Sequence, residues 1–176
     1  MRKQVFLIFC ALSAFVFLVS WQVLSSPAED GKAQNTVRGE RSNKKPAIKW
    51  YSYETGIDQI KDKRKKGYLH FYTDWCTYCK IMNQKTFSDA EVVDYMNENF
   101  IPIRVNAEAD KQVAMKYGVH RFPSNWFLTE TGDNIDNQPG FIPPEMLVLM
   151  LEFIHTDSYR QMKFSEFMHR QKGREQ

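Results

Sequence analysis

Cysteine is scarce in this chain. Three occur in 176 residues, at positions 10, 76 and 79. Cys10 falls inside an uncharged N-terminal run, so the rest of the chain holds one pair and no disulfide framework. A second cysteine pair is missing, and His70, His120, His155 and His169 are scattered without ligand spacing. Structural zinc, which takes about four ligands, is therefore disfavoured, and no metal is expected. Covalent haem attachment needs histidine directly after the second cysteine, where Lys80 stands, and no cofactor is implied. An excess of charge of one sign is also lacking. The 24 basic and 21 acidic residues leave +3, too little for a field that would draw nucleic acid or an acidic substrate. The lysine-rich stretch 61–66 reads as solvated surface. No internal repeat is visible, and the length suits one compact domain with a tether rather than two domains.

Long apolar runs are absent except for one. Val5 to Leu24 spans 20 residues without a charge, preceded by Arg2 and Lys3. As a helix rising about 1.5 Å per residue it would cover about 30 Å, a bilayer core. The segment 1–24 therefore reads as a signal peptide or a membrane anchor. Its length favours the anchor, whereas Ser26-Pro27-Ala28 offers a small-residue cleavage site. Phe9 before Cys10 is too bulky for a lipoprotein acylation signal, which leaves Cys10 as an apolar side chain. Arg2 and Lys3 would stay in the cytoplasm and send the C-terminal domain to the far side, against some opposition from Lys32, Arg38 and Arg41. That side is oxidising in most cells, and the expected location is extracytoplasmic, membrane-anchored or secreted. Residues 25–47 hold almost no large apolar side chains and read as a flexible linker, with the folded domain over 48–176.

Within that domain the hydrophobic period alternates between helical and extended. Ile57 and Ile60 place a helix over 55–66, stopped by Gly67. Tyr68 to Thr73 is apolar on both parities, as a central strand covered on two faces would be. Helices are expected over 80–86 and 88–99, the second with Ser88 as N-cap and Glu91 closing a capping box. Phe100 to Val105 reads as the next strand, Asp110 to Tyr117 as a short helix ended by Gly118, and residues 125–139 as a hairpin turning at Thr131-Gly132. Pro143-Pro144-Glu145 opens a helix to about His155, and a last helix is expected over 158–170. The fold class is α/β, a mixed central sheet flanked by helices.

Cys76-Thr77-Tyr78-Cys79 sits where the central strand meets a helix. Three residues apart on a first helical turn, two sulfurs can come within bonding distance. A cysteine at a helix N-terminus meets free backbone N–H groups and the positive end of the helix dipole, both of which favour thiolate. Cys76 is accordingly the expected nucleophile and Cys79, one turn further in and more shielded, the expected resolving thiol. Trp75 before the pair and a polar helix start after it argue against two inert buried cysteines.

Phe71 to Lys80, together with Thr86-Phe87-Ser88-Asp89, resembles the C-terminal domain of the bacterial transmembrane thiol:disulfide interchange protein and its thioredoxin-like relatives, and the likeness runs from about Trp50 to Ile154. It implies a thioredoxin fold. Tyr117 to Ser124 is similar to the family's second signature, which makes Pro123 a cis-proline beside the cysteines. Phe122 would then present its amide and carbonyl to an extended substrate, and Gly140 matches a glycine near the same groove. Two departures stand out. Many thioredoxins carry a buried aspartate six residues before the first cysteine, where this chain has His70, and an acidic residue after the pair is replaced by Asn83. His70 is therefore either a base for proton transfer or a packed strand residue. Trp75, Tyr78, Phe122 and Trp126 would ring the pair as an apolar landing surface, although Trp126 reads better as core.

The implied activity is a thiol:disulfide oxidoreductase that reduces or isomerises protein disulfides and is recharged by a thiol electron donor. Thr77 and Tyr78 add hydroxyls but no charge between the cysteines, which points to a potential in the reducing or isomerase range. The alternatives are a docking or chaperone module without catalytic turnover, or a dedicated thiol supplier for cytochrome maturation.

Overall fold

The computed structural model describes residues 46–173. The expected segment 1–24 and nearly all of the linker 25–47 lie outside them. No helix among the described residues is long and apolar enough to cross a membrane. From Ala47 the chain is tied down, because Asn97 donates to the Ala47 carbonyl and accepts from the Lys49 N–H.

The elements run α1 (Tyr53–Lys63), β1 (Lys66–Tyr72), α2 (Thr77–Lys85), α3 (Ala90–Asn99), β2 (Phe100–Asn106), α4 (Lys111–Lys116), β3 (Ser124–Leu128), β4 (Asn134–Pro139), α5 (Pro144–His155), a 3-10 turn (Ser158–Arg160) and α6 (Phe164–Lys172). The sheet order is β2-β1-β3-β4. β1 and β2 are parallel, and the remaining pairings are antiparallel. Lying inside the sheet, β1 is buried along six of its seven residues, which explains its apolar run on both parities. Leu69 and Phe71 face a core shared with Ile60 of α1 and Val113 and Ala114 of α4. Tyr68 faces the other core, filled by Met82 of α2, Val92, Val93 and Met96 of α3, Leu147 and Leu151 of α5 and Phe167 of α6.

Four local expectations need correction. α1 ends at Lys63 because Arg64 takes the left-handed conformation (φ 50°) and returns its N–H to Ile60. Gly67 therefore lies in β1 rather than stopping the helix, and a Cβ there would collide with Ile60 and Leu128. Asp89, not Ser88, caps α3, accepting from the N–H groups of Glu91 at 3.0 Å and Val92 at 3.2 Å. A carboxylate is favoured there by the helix dipole, and the Ser88 hydroxyl instead donates to Gln84. The last helix is divided, because Tyr159, Met162 and Phe164 all pack on one core. A continuous helix would turn Phe164 about 200° from Met162, at roughly 100° per residue.

The fourth correction concerns the lysine stretch. Lys66 is 4 % exposed, and its ammonium contacts Glu130 at 2.7 Å and Asp157 at 3.2 Å, tying the sheet to the β3–β4 turn and to the chain after α5. Burial works against the charge on Lys66, but the hydrogen bonds it donates to both carboxylates, with their charges, outweigh it and raise its pKa. Burial works against Glu130 and Asp157 as well, and Lys66 nonetheless holds both carboxyls below their ordinary range. Their contribution is present above the ordinary carboxylate pKa and lost as pH falls through the lowered values. Glu130→Gln is expected to cost about 1–2 kcal/mol at neutral pH, kept small by solvent screening of the partly exposed carboxylate. Urea unfolding across pH should show mutant and wild type converging in acid; parallel curves down to pH 3 would count against the ion pair.

Candidate active site

The site forms where β1 runs out. Cys76 is the N-cap of α2 with extended backbone (φ −71°, ψ 110°), and its N–H reaches back to the Thr73 carbonyl at 3.3 Å. The N–H of Cys79 donates to Cys76 Sγ at 3.1 Å. The cysteines are joined as a disulfide with their Cα atoms 5.3 Å apart. Once that bond is reduced, Cys76 Sγ lies where α2 concentrates its partial positive charge. Cys79 is the more covered, as expected, at 2 % exposure. Cys76 is covered too, at 4 %, so the expectation of an unburied pair needs correction: in the oxidised state the sulfurs face each other and the two flanking aromatics take the solvent.

The peptide bond between Phe122 and Pro123 is cis. Ser124 pairs with Phe71 across β1 and β3, which places Pro123 level with the residues that lead from β1 into Cys76. Gly140, at φ 93°, donates its N–H to the Pro123 carbonyl at 2.7 Å. Trp75 and Tyr78, next to and between the cysteines in sequence, are 66 % and 63 % exposed, leaving a large aromatic surface in water. Phe122 meets Trp75 edge-on with ring centroids 6.0 Å apart, and the Trp75 indole N–H donates to Glu108 at 3.1 Å. Trp126 does not join this rim; it packs on Tyr117 and donates to the Ser124 hydroxyl.

A row of polar side chains crosses the sheet on the parity of Tyr68 and His70. His70 is paired in register with Arg104 of β2 and Asn125 of β3, and Asn125 with Gln138 of β4. The Asn125 amide nitrogen donates to the Gln138 and Gly140 carbonyls, so its oxygen must be the acceptor. That oxygen receives the Tyr68 hydroxyl at 2.7 Å and His70 Nδ1 at 2.9 Å. His70 is therefore the Nδ1–H tautomer, and its buried Nε2 has no partner. Burial, aided by the Arg104 charge and only partly offset by the Asn125 hydrogen bond, takes its pKa down to about 3. At neutral pH such an imidazole stays uncharged and is a poor proton acceptor.

Three residues of this region went unnoticed in the sequence. Asn125 lies just past the second signature, and Thr73 lies inside the stretch 71–80 without a role of its own assigned to it. Arg104 had a visible signal, a lone charge within the apolar strand 100–105. Its guanidinium lies over Tyr72, 4.3 Å from the ring centroid, and donates to Asn83 at 3.2 Å. With Thr73, Asp74, Cys79 and Lys80 it lines a cavity of about 170 Å³ behind the second cysteine.

A profile of the thioredoxin-like domain family matches residues 53–155. Over 126 residues the chain is 26 % identical to the thiol:disulfide interchange protein DsbD of Photorhabdus laumondii, covering 68 % of this chain and 22 % of that one. It therefore spans less than a quarter of that relative's length. Over 105 residues it is 25 % identical to a thioredoxin of Mycoplasmoides gallisepticum, covering 60 % of this chain and 100 % of the other. Its fold superposes on a thioredoxin from Thermus thermophilus with a TM-score of 0.56 at 21 % identity, covering 60 % of this chain and 85 % of that one.

Proposed function

This chain belongs to the thioredoxin-like domain family, and from that premise we propose that it is an extracytoplasmic thiol:disulfide oxidoreductase that reduces or isomerises disulfides of partner proteins. The observation that carries the reading is Cys76 Sγ at the mouth of α2, receiving an amide hydrogen bond from Cys79, preceded by Trp75, whose exposed ring meets Phe122 of the cis Phe122–Pro123 bond. The Cys76 thiolate attacks a substrate disulfide, one substrate sulfur leaves as a thiol, and a mixed disulfide forms. Cys79 then attacks Cys76 Sγ, which closes the Cys76–Cys79 bond and releases the second substrate sulfur. A thiol donor returns the two electrons.

In this scheme Phe122 and Pro123 line the groove for an extended substrate segment, with Trp75 and Tyr78 as its apolar landing surface. The extracytoplasmic setting rests on the apolar segment 5–24 with its basic flank, and on the likeness to interchange proteins. Insulin reduction with a thiol donor tests the reading. Sustained precipitation of insulin over many turnovers per protein molecule is the expected result. Capture of one equivalent of substrate without turnover would replace the enzyme with a docking module.

A further inference from the structure

Cys79 spends its own N–H on the Cys76 sulfur. Cys79, one turn inside, must nevertheless become an anion to resolve the mixed disulfide. The groups around the cavity behind it show what is available. His70 on β1 is buried and neutral, with Nε2 unpartnered. Asp74 is exposed and accepts from the Asn106 amide, Lys80 is exposed, and Tyr72 lies flat beneath Arg104.

Arg104 differs from these. Among the described residues it makes no ion pair. It is anchored to Asn83, four residues after Cys79 and on the same face of α2, and its Nε is buried without a partner. Thr73, 2 % exposed, lines the same cavity with an unpartnered hydroxyl oxygen. A cation with an unspent buried donor, a free hydroxyl and a second cysteine thus share one small polar space, and no buried carboxylate neutralises the cation.

Resting on the oxidoreductase reading, we propose that Arg104 is a positioning residue for the resolving half of exchange, its guanidinium stabilising the Cys79 thiolate across this cavity. The Cys79 proton leaves to water through the cavity. The thiolate attacks Cys76 Sγ, the Cys76–Cys79 bond forms, and the bond from Cys76 to substrate breaks. The departing substrate thiolate takes a proton from solvent. One S–S bond forms as another breaks, so electrons balance, and the proton needs no carboxylate base because the cation shifts the thiol equilibrium where other family members use acidic groups near the pair.

The test titrates Cys79 in the Cys76→Ser background, by thiolate absorbance and by the pH dependence of alkylation. Arg104→Gln is expected to make Cys79 about tenfold less acidic, and Arg104→Lys to restore most of the loss. Arg104→Met keeps the aliphatic stem over Tyr72, and Asn83→Ala, at an exposed position, frees the guanidinium; both should weaken Cys79 in the same direction. Unchanged Cys79 acidity in folded Arg104 and Asn83 variants, checked by circular dichroism, would overturn the assignment. Insulin turnover by the wild type is measured alongside. Its absence would remove the enzymatic reading, while the Arg104 assignment is decided by the titration alone.

Discussion

Cys76→Ser is expected to abolish catalysed disulfide reduction, leaving only the background rate of the thiol donor, whereas Cys79→Ser is expected to stop after one event with Cys76 still bonded to its target. The asymmetry follows from the geometry. Cys76 caps α2 and holds the amide hydrogen bond that favours its thiolate, so without it the protein has no activated sulfur to open a substrate disulfide. Cys79 is the more covered of the two and acts only on a sulfur already delivered to Cys76. Non-reducing gels after incubation with oxidised protein substrates check both variants. Mixed disulfides should accumulate in Cys79→Ser and be absent from Cys76→Ser. Equal trapping by the two variants would reverse the assigned roles, and full turnover in Cys76→Ser would remove the mechanism.

The second large effect concerns stability. His70 has its pKa depressed to about 3 by burial, with the Arg104 charge in support, while in the unfolded chain it titrates near its usual value of about 6.5. Below that value the unfolded state takes a proton that the native state refuses. Its contribution is therefore intact above about pH 6.5 and declines as pH falls, by roughly 1.4 kcal/mol per unit, or about 2 kcal/mol by pH 5. His70→Leu should remove this slope. Its cost at neutral pH is small, because Asn125 keeps the Tyr68 hydroxyl on its oxygen and two carbonyls on its nitrogen, and an unpartnered buried nitrogen is lost. Urea unfolding at pH 7 and pH 5 should show the wild type weakening by about 2 kcal/mol more than the mutant. Equal slopes would place a proton on buried His70 at ordinary pH and reopen a role in proton transfer.

Much of this was legible along the chain. Tyr68 to Tyr72 carries no polar face except at one histidine, which marks a strand with neighbours on both sides. The turn into Asp74-Trp75-Cys76 followed by a helical pattern places the first cysteine at a helix mouth without any tertiary information. Boundaries were less legible, because they are settled by long-range packing. Arg64 and Gly67 exchanged roles once Ile60 and Leu128 claimed the space above Gly67. The 158–170 segment broke because three of its side chains share one core. Lys66 looked like its five solvated neighbours until Glu130 and Asp157, 64 and 91 positions away, closed over it.

By itself the sequence determined the chemistry: a single cysteine pair at helical spacing after an apolar strand, with no further ligands for a metal and no histidine for haem. Those are local properties, set by neighbouring residues and by the period of the chain. The surroundings of that pair were decided only in three dimensions. Register across three strands aligned Arg104, His70 and Asn125, burial silenced the histidine, and the arginine came to line one cavity with the second cysteine. Charge in a protein interior depends on what desolvates it and what faces it, and both are contributed by residues far apart in sequence.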